Sequence, residues 1–213
     1  MKKAVIFDLD GTLLNTLEDL RAAVNDALRK RGLPPRSLEE VRMFVGNGIR
    51  QLMKRSLPEG ASDEEIDVAL SDFRCHYYQH LCDATQPYDG IPEMVDELAR
   101  RGVKMAVLSN KVDEASKKLI EHFFPKRFAL VFGERKGIPR KPNPMSCLEI
   151  MQHLKVKPEE VLYVGDSGVD MQTAHNAGLY GIGVTWGFRS RKTLEENGAK
   201  RLLDTPSQLL DIL

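Results

Sequence analysis

The chain has few of the residues that mark specialised protein classes. Of its 213 residues, three are cysteine and one is tryptophan, and aromatic residues make up only 7%. Cys75, Cys82 and Cys147 form no Cys-x-x-Cys pair, and no histidine stands near them at zinc-ligand spacing. We therefore expect neither a disulfide framework nor a zinc site, and we interpret the three cysteines as small apolar residues.

An excess of charge and a long apolar run are also lacking. Lysine plus arginine and aspartate plus glutamate number 31 each, so the overall charge favours neither nucleic acid nor an acidic membrane surface as a partner. No apolar stretch reaches membrane-spanning length, and the strand after Met1-Lys2-Lys3 is too short for the core of a signal peptide. We expect a cytoplasmic protein without nucleic-acid or membrane partners, in which any anion site is local.

The hydrophobic pattern predicts an α/β fold with an insertion. A short β-branched run, Ala4-Val5-Ile6-Phe7, is followed by about seventy residues of helical pattern, and from Tyr88 onward helices and strands alternate. Such alternation predicts a doubly wound parallel sheet, a Rossmann-like core, with right-handed crossovers. We assign the core to residues 1–14 and 85–213 and a helical domain to residues 15–84. In the core, strands are expected at 104–108, 130–132, 161–164 and 181–184, and helices at 94–101, 113–122, 145–154 and 170–177.

Two carboxylates follow the first predicted strand at positions i and i+2. Parallel α/β sheets bind ligands at the carboxyl ends of their strands, where Asp8 and Asp10 would lie. Side chains two residues apart on a continuing strand share a face, and Gly11 lets the chain turn away sharply. An ordinary turn after a strand would explain the same residues, because aspartate and glycine are common in turns.

Three later segments end strands or loops with residues suited to phosphate. Ser109 and Asn110 follow the strand at 104–108, Lys141 precedes a proline in a stiff loop, and Asp166 and Asp170 follow the strand at 161–164. Each has a plainer explanation: a serine helix cap, an exposed loop lysine, and an acid at a helix start. Their combination at the ends of strands favours a common site.

Four carboxylates in one pocket would repel each other unless cations compensate them. Asp8, Asp10, Asp166 and Asp170 offer oxygen ligands without cysteine or histidine, which favours Mg²⁺ as the bound metal. Lys141 would supply the remaining positive charge.

In chain order, these segments resemble the four motifs of the haloacid dehalogenase superfamily. The matching residues are Asp8-Leu9-Asp10-Gly11-Thr12, Ser109, Lys141-Pro142 and Gly165-Asp166 with Asp170. The insertion after the first motif is similar to the superfamily's C1-type α-helical cap, and residues 161–187 are similar to phosphoglycolate phosphatase-like members. The resemblance covers essentially the whole chain and implies a Mg²⁺-dependent phosphatase that hydrolyses a small phosphate monoester.

The resemblance implies a role for each carboxylate. Asp8 would be the nucleophile that forms an aspartyl-phosphate, and Asp10 the general acid and then the base. Mg²⁺ would be held by the Asp8 carboxylate, the Asp10 backbone carbonyl and Asp166, with Asp170 contributing directly or through water.

The resemblance also implies the groups that hold the transferring phosphoryl oxygens. They would be Thr12, Ser109, the backbone of Asn110, and Lys141, which also counts among the catalytic residues. The partner would be a small phosphorylated metabolite, with 2-phosphoglycolate as the leading substrate, and the protein would be a monomer or a homodimer.

Within the predicted cap, one loop is the best candidate for substrate contacts. Gly46, Asn47 and Gly48 permit close backbone approach before a helix, and Arg50 could hold a carboxylate with two hydrogen bonds. Arg42 is a second candidate. A flexible turn followed by a surface arginine would give the same pattern.

Several other activities share parts of this pattern. A dehalogenase would leave Asp10 and Asp166 unexplained, and a receiver-type signalling domain has no reason for a helical insertion. A non-catalytic relative would be expected to lack one of the charged residues. A phosphomutase of the β-phosphoglucomutase type would use the same carboxylates, although Thr12 favours hydrolysis because such mutases often have valine there. A phosphatase or pyrophosphatase for another metabolite also stays open.

Overall fold

A computed structural model describes residues 2–213, so Met1, counted in the predicted core, lies outside the described residues. The contacts between residues divide the chain into two compact units. The larger unit joins the residues up to Asn15 with Pro87–Leu213, and the smaller unit is Thr16–Gln86. The sequence placed these boundaries after residues 14 and 84. Two short strands, β2 (Leu14–Asn15) and β3 (Gln86–Pro87), stand where the chain passes from one unit to the other.

The larger unit contains a six-stranded parallel sheet, which confirms the predicted doubly wound α/β core. The strands are β1 (Ala4–Phe7), β4 (Lys104–Val112), β5 (Leu130–Glu134), β6 (Val161–Gly165), β7 (Tyr180–Val184) and β8 (Arg201–Leu203). Their order in the sheet is β5-β4-β1-β6-β7-β8. The first strand lies between β4 and β6, so residues directly after these three strands come together at one edge.

The helices of this unit are α5 (Ile91–Arg100), α6 (Asp113–Phe123), α7 (Met145–Leu154), α8 (Gly168–Asn176) and α9 (Arg191–Glu196). One sheet face packs against α7 and α8 in a cluster that includes Ile6, Leu108, Ile150 and Tyr163. Burial on both sides explains why β1 is apolar at every position. The short elements α9 and β8 were absent from the sequence prediction.

The second strand of the core is longer than predicted. We expected it to end at residue 108, but β4 continues to Val112, which pairs with Glu134 of β5 after a register shift. Ser109, Asn110 and Lys111 therefore lie within the strand and not in a turn after it. Pairing with β5 extends the strand past its apolar part, where periodicity gives no signal.

The smaller unit consists of α1 (Leu17–Arg29), α2 (Leu38–Phe44), α3 (Ile49–Ser56) and α4 (Asp63–Gln79). Ser37 and Ser62 begin α2 and α4 with reciprocal capping boxes, in which each serine pairs with the glutamate three residues later. Apolar residues of α1 at helical spacing, such as Leu20 and Val24, are buried. Among the residues that the structure describes, no helix is long and apolar enough to cross a membrane.

A buried carboxylate joins the two ends of the helical unit. Asp19, in the first turn of α1, accepts hydrogen bonds from the backbone N–H groups of Ala84 and Thr85 and from the Thr85 hydroxyl, at 2.9, 2.8 and 2.7 Å. Asp19 and Thr85 are both buried. The contact thus fixes the last residues of the unit to its first helix.

Replacing this carboxylate should destabilise the protein. We expect Asp19→Ala to lower the free energy of unfolding by about 2 to 4 kcal/mol, because buried donors lose a charged acceptor. Glu18→Ala is the matched control, since Glu18 forms an exposed pair with Arg21, and it should change the free energy of unfolding by less than about 0.5 kcal/mol. Urea unfolding measures both, and equal losses would contradict the role of Asp19.

Candidate active site

The polar residues expected at the site meet at the carboxyl edge of the sheet. Asp8 directly follows β1, Asp166 directly follows β6, and Ser109 lies near the end of β4. Because these three strands are parallel neighbours, the order of the sheet brings together residues from distant parts of the sequence. The expectation of a common site at the strand ends therefore agrees with the topology.

Three of the four predicted carboxylates form a cluster. Asp8, Asp166 and Asp170 are buried, and each offers an oxygen that lies within 4.8 Å of the others. Two glycines make room for Asp166, because a Cβ at Gly11 or Gly187 would lie 2.3 Å from an atom of its side chain. Gly11 also has a φ of +83°, so the sharp exit from β1 needs glycine for two reasons.

Lys141 lies inside this cluster and not on the surface. Its Nζ donates to Asp8 Oδ1 at 2.9 Å and to Asp170 Oδ1 at 2.7 Å, with 4% of the side chain exposed. Asn110 fixes the backbone beside it: Asn110 Oδ1 accepts from Lys141 N at 2.9 Å, and Asn110 Nδ2 donates to the Lys141 carbonyl at 3.1 Å. The Asn110 side chain thus positions the lysine.

We expected Asp170 to open α8, but it occupies the third position of this helix. The helix begins at Gly168, and Ser167 caps it. Asp170 Oδ2 accepts from the Ser167 N–H at 3.0 Å and from the Ser167 hydroxyl at 2.6 Å, while Oδ1 accepts from Lys141 and from the Tyr163 hydroxyl at 3.2 Å. Four hydrogen bonds therefore hold this carboxylate in place.

Asp166 accepts hydrogen bonds from residues of two different loops. The Phe188 N–H donates to Asp166 Oδ2 at 2.8 Å, and the Thr12 hydroxyl donates to Oδ1 at 3.4 Å. Trp186 Nε1 donates to the Thr12 carbonyl at 3.0 Å, which links these two loops. Thr12 and Ser109 are both buried.

The cluster carries more negative charge than one lysine neutralises. Burial, and then the charge of Asp170, raise the pKa of Asp8 well above its ordinary value, although Lys141 acts in the opposite direction. The same two causes raise the pKa of Asp166 to about 7. Burial opposes the charged form of Lys141, yet Asp170 and Asp8 hold its pKa above the ordinary value. An oxygen-only site with excess negative charge fits a hard divalent cation.

Asp10 lies apart from the three clustered carboxylates. Its Oδ1 accepts from Lys111 Nζ at 2.9 Å, in a pair where 17% of the Asp10 side chain and 3% of the Lys111 side chain are exposed. Sequence reasoning missed Lys111. Its position directly after the candidate phosphate ligands Ser109 and Asn110 was the available signal.

The predicted substrate loop lies in the helical unit. Gly46, Asn47 and Gly48 have φ values of +119°, +64° and +85°, and α3 begins directly after them. The Arg50 guanidinium donates to Asp63 Oδ1 at 2.8 Å and to Asp67 Oδ1 at 3.1 Å. Arg42 lies 3.9 Å from Glu39. Arg50 thus pairs with two carboxylates of its own unit.

Comparison with known proteins gives consistent results. The family model described as haloacid dehalogenase-like hydrolase matches residues 5–184. The chain is 33% identical over 215 residues to a phosphoglycolate phosphatase of Pseudomonas putida, covering 99% of this chain and 79% of that protein. It is also 33% identical to a phosphoglycolate phosphatase of Vibrio parahaemolyticus over 99% of this chain and 96% of that protein.

Solved structures agree with the sequence relatives. A crystal structure from Lactobacillus delbrueckii subsp. bulgaricus, of a protein provisionally called a phosphoglycolate phosphatase, has a TM-score of 0.94 and 35% identity, covering 100% of this chain and 98% of that one. A protein of Bacteroides fragilis at 22% identity has a TM-score of 0.89. The Bacteroides fragilis protein therefore has the same fold as this chain.

The charge imbalance makes the stability of the metal-free protein depend on pH. With EDTA present, we expect the free energy of unfolding to fall as pH rises from 3.8 to about 7, because folded Asp166 keeps its proton over this interval while the unfolded group has lost it. Asp166→Asn should make this slope shallower.

Asp96→Asn is the matched control, since Asp96 is an exposed carboxyl paired with Arg127, and it should keep the slope of the unmodified protein. Urea unfolding at several pH values measures all three slopes. If Asp166→Asn and the unmodified protein have the same slope, the raised pKa of Asp166 is not the cause of the pH dependence.

Proposed function

Because the chain belongs to the haloacid dehalogenase-like hydrolases, we propose that it is a Mg²⁺-dependent phosphatase that hydrolyses a small phosphate monoester through a phosphorylated aspartate. The observation that carries the proposal is Lys141, which lies buried between Asp8 and Asp170 at hydrogen-bonding distance from both. The positive charge of Lys141 favours the ionised form of Asp8 in a buried site that must also accept a negatively charged phosphate.

Asp8 is the proposed nucleophile, and its hydrogen bonds favour one oxygen. The Leu9 N–H and Lys141 Nζ both donate to Oδ1, at 2.7 and 2.9 Å. Oδ2 is then the oxygen that attacks phosphorus. Its bond to phosphorus forms as the ester P–O bond breaks, and the product is an aspartyl-phosphate with the alcohol as leaving group.

Asp10 is the proposed acid and base. It gives its proton to the departing alkoxide and later takes one from the water that attacks the phosphorylated Asp8. The new bond from water oxygen to phosphorus forms as the bond to Asp8 breaks, which releases phosphate and restores both carboxyl groups. The separation of Asp10 from the carboxylate cluster supports this division of roles.

The phosphoryl oxygens would be held by Thr12, Ser109, the Asn110 backbone and Lys141. The first two hydroxyls are buried at the carboxyl edge of the sheet, and Lys141 carries the positive charge. These groups would bind the three oxygens that gain charge as the transfer proceeds, where fixed donors are worth most.

Mg²⁺ would be held by the carboxylates of Asp8 and Asp166 and by the Asp10 backbone carbonyl. When bound, the metal supplies positive charge to the phosphoryl group and orients it. The four hydrogen bonds to Asp170 already fill its acceptor sites. We therefore assign Asp170 to holding Lys141 and to contacts through water, and not to direct metal binding.

The substrate is proposed to be 2-phosphoglycolate, since curated relatives at 33% identity carry the name phosphoglycolate phosphatase. Residues 16–86 would then serve as the cap, with Gly46, Asn47, Gly48 and Arg50 as substrate contacts. These cap contacts stay a prediction, as do the cytoplasmic location and the monomeric or homodimeric state.

Phosphate release from a panel of phosphorylated metabolites tests the function. With Mg²⁺ present, we expect the highest kcat/KM on 2-phosphoglycolate, and loss of turnover with EDTA. Asp8→Asn should lower kcat by at least ~10³-fold because the nucleophile is gone. Asp211→Asn, at an exposed carboxyl near the chain end, is the control and should retain activity.

Three outcomes would count against parts of this account. Undiminished turnover in Asp8→Asn would contradict covalent catalysis. Full activity in EDTA would contradict the metal requirement. Transfer of the phosphoryl group to a sugar without release of phosphate would favour the mutase.

A further inference from the structure

Lys111 is a second buried cation near the site, and the proposed reaction gives it no task. Only 3% of its side chain is exposed, and its Nζ donates to Asp10 Oδ1 at 2.9 Å. A buried ammonium is costly unless a carboxylate compensates it. Lys141 contacts the clustered carboxylates Asp8 and Asp170, whereas Lys111 contacts Asp10, which lies outside that cluster.

The strand determines where this cation lies. Lys111 follows Ser109 by two residues within β4, in the part of the strand where its register with β5 shifts, and the Lys111 N–H donates to Ser109 Oγ at 3.2 Å. The side chains of Lys111 and Ser109 are both buried. The ammonium is therefore carried by the same rigid element as a proposed phosphate ligand.

We propose that Lys111 is a positioning residue that holds the Asp10 carboxyl group towards the leaving group and away from the cluster of Asp8, Asp166 and Asp170. The inference rests on the proposed function, because it concerns proton transfer by Asp10. The hydrogen bond from Lys111 falls on Oδ1, so Oδ2 is left to carry the proton. The same contact serves both half-reactions, since Oδ1 can accept whether or not Oδ2 is protonated.

A freely rotating Asp10 would serve the reaction poorly. Asp10 stands two residues after Asp8, and its side chain could turn towards the Mg²⁺ ion that Asp8 and Asp166 would hold. A proton donor must be within hydrogen-bond reach of the leaving oxygen, and small misplacements cost large factors in rate. The Lys111 contact gives Asp10 one orientation from a rigid strand.

The test compares leaving groups that differ in their need for a proton. We would measure kcat/KM, which reports phosphoryl transfer to Asp8, for 2-phosphoglycolate, ethyl phosphate and 2,4-dinitrophenyl phosphate. Dinitrophenolate leaves without protonation, whereas both alkoxides need it. Lys111→Met should lose ~10²-fold or more on the two alkyl phosphates, the usual scale of general acid catalysis, and less than ~3-fold on the dinitrophenyl ester.

A double mutant separates action through Asp10 from other effects. Asp10→Asn should show the same dependence on leaving group, and Asp10→Asn with Lys111→Met should be no slower than Asp10→Asn alone. Lys111→Arg, which keeps a cation, should recover part of the loss on alkyl phosphates. Lys104→Met is the control, because Lys104 lies at the other end of β4 and donates to the Leu154 carbonyl.

Each alternative role of Lys111 gives a different result. Equal losses on all three substrates, or additive losses in the double mutant, would show a structural or phosphate-binding role and overturn the proposal. A loss confined to 2-phosphoglycolate would show that Lys111 binds the substrate carboxylate, which also overturns it. If Lys111→Met does not fold, Lys111→Gln is compared in the same way. Absence of phosphate release by the unmodified protein would instead overturn the proposed function, and with it the role of Lys111.

Discussion

The ammonium group of Lys141, placed between Asp8 and Asp170, is the contact on which the rest of the site depends. Three buried carboxylates would repel one another, and burial already raises the pKa of Asp8 and Asp166. Removing one partner of a buried ion pair typically costs several kcal/mol. With Lys141 in place, the cluster can keep enough negative charge to bind a metal and to provide a nucleophile.

Much of the surrounding structure holds this contact in place. Asn110 fixes the backbone of Lys141 with two hydrogen bonds, and Tyr163 and Ser167 hold Asp170. A Cβ at Gly165 would lie 2.3 Å from Asp170 atoms, so the end of β6 must be glycine for that carboxylate to fit. Specific packing at the carboxyl edge of the sheet thus serves one ion pair.

The sequence predicted the sheet and the family, and it predicted that residues after apolar strands would lie at one edge, because such residues meet whenever the strands are parallel neighbours. It could not predict which polar residues pair with each other. Lys111 was missed since a lysine after Ser109 and Asn110 looks like an exposed turn residue. The length of β4 and the pairing of Arg50 with Asp63 depend on contacts between elements. The hydrophobic periodicity of a single segment carries no information about such contacts.

The account divides the acidic residues into a nucleophile and a proton donor, each with its own buried lysine. Its central claim is that Asp8 becomes phosphorylated during turnover. The most direct measurement is to stop the reaction with acid during steady turnover and to locate the phosphoryl group by peptide mass spectrometry. The account predicts the added mass on the peptide that contains Asp8, and its absence in Asp8→Asn. A phosphoryl group on another residue, or inversion of configuration at a chiral phosphorus, would contradict it.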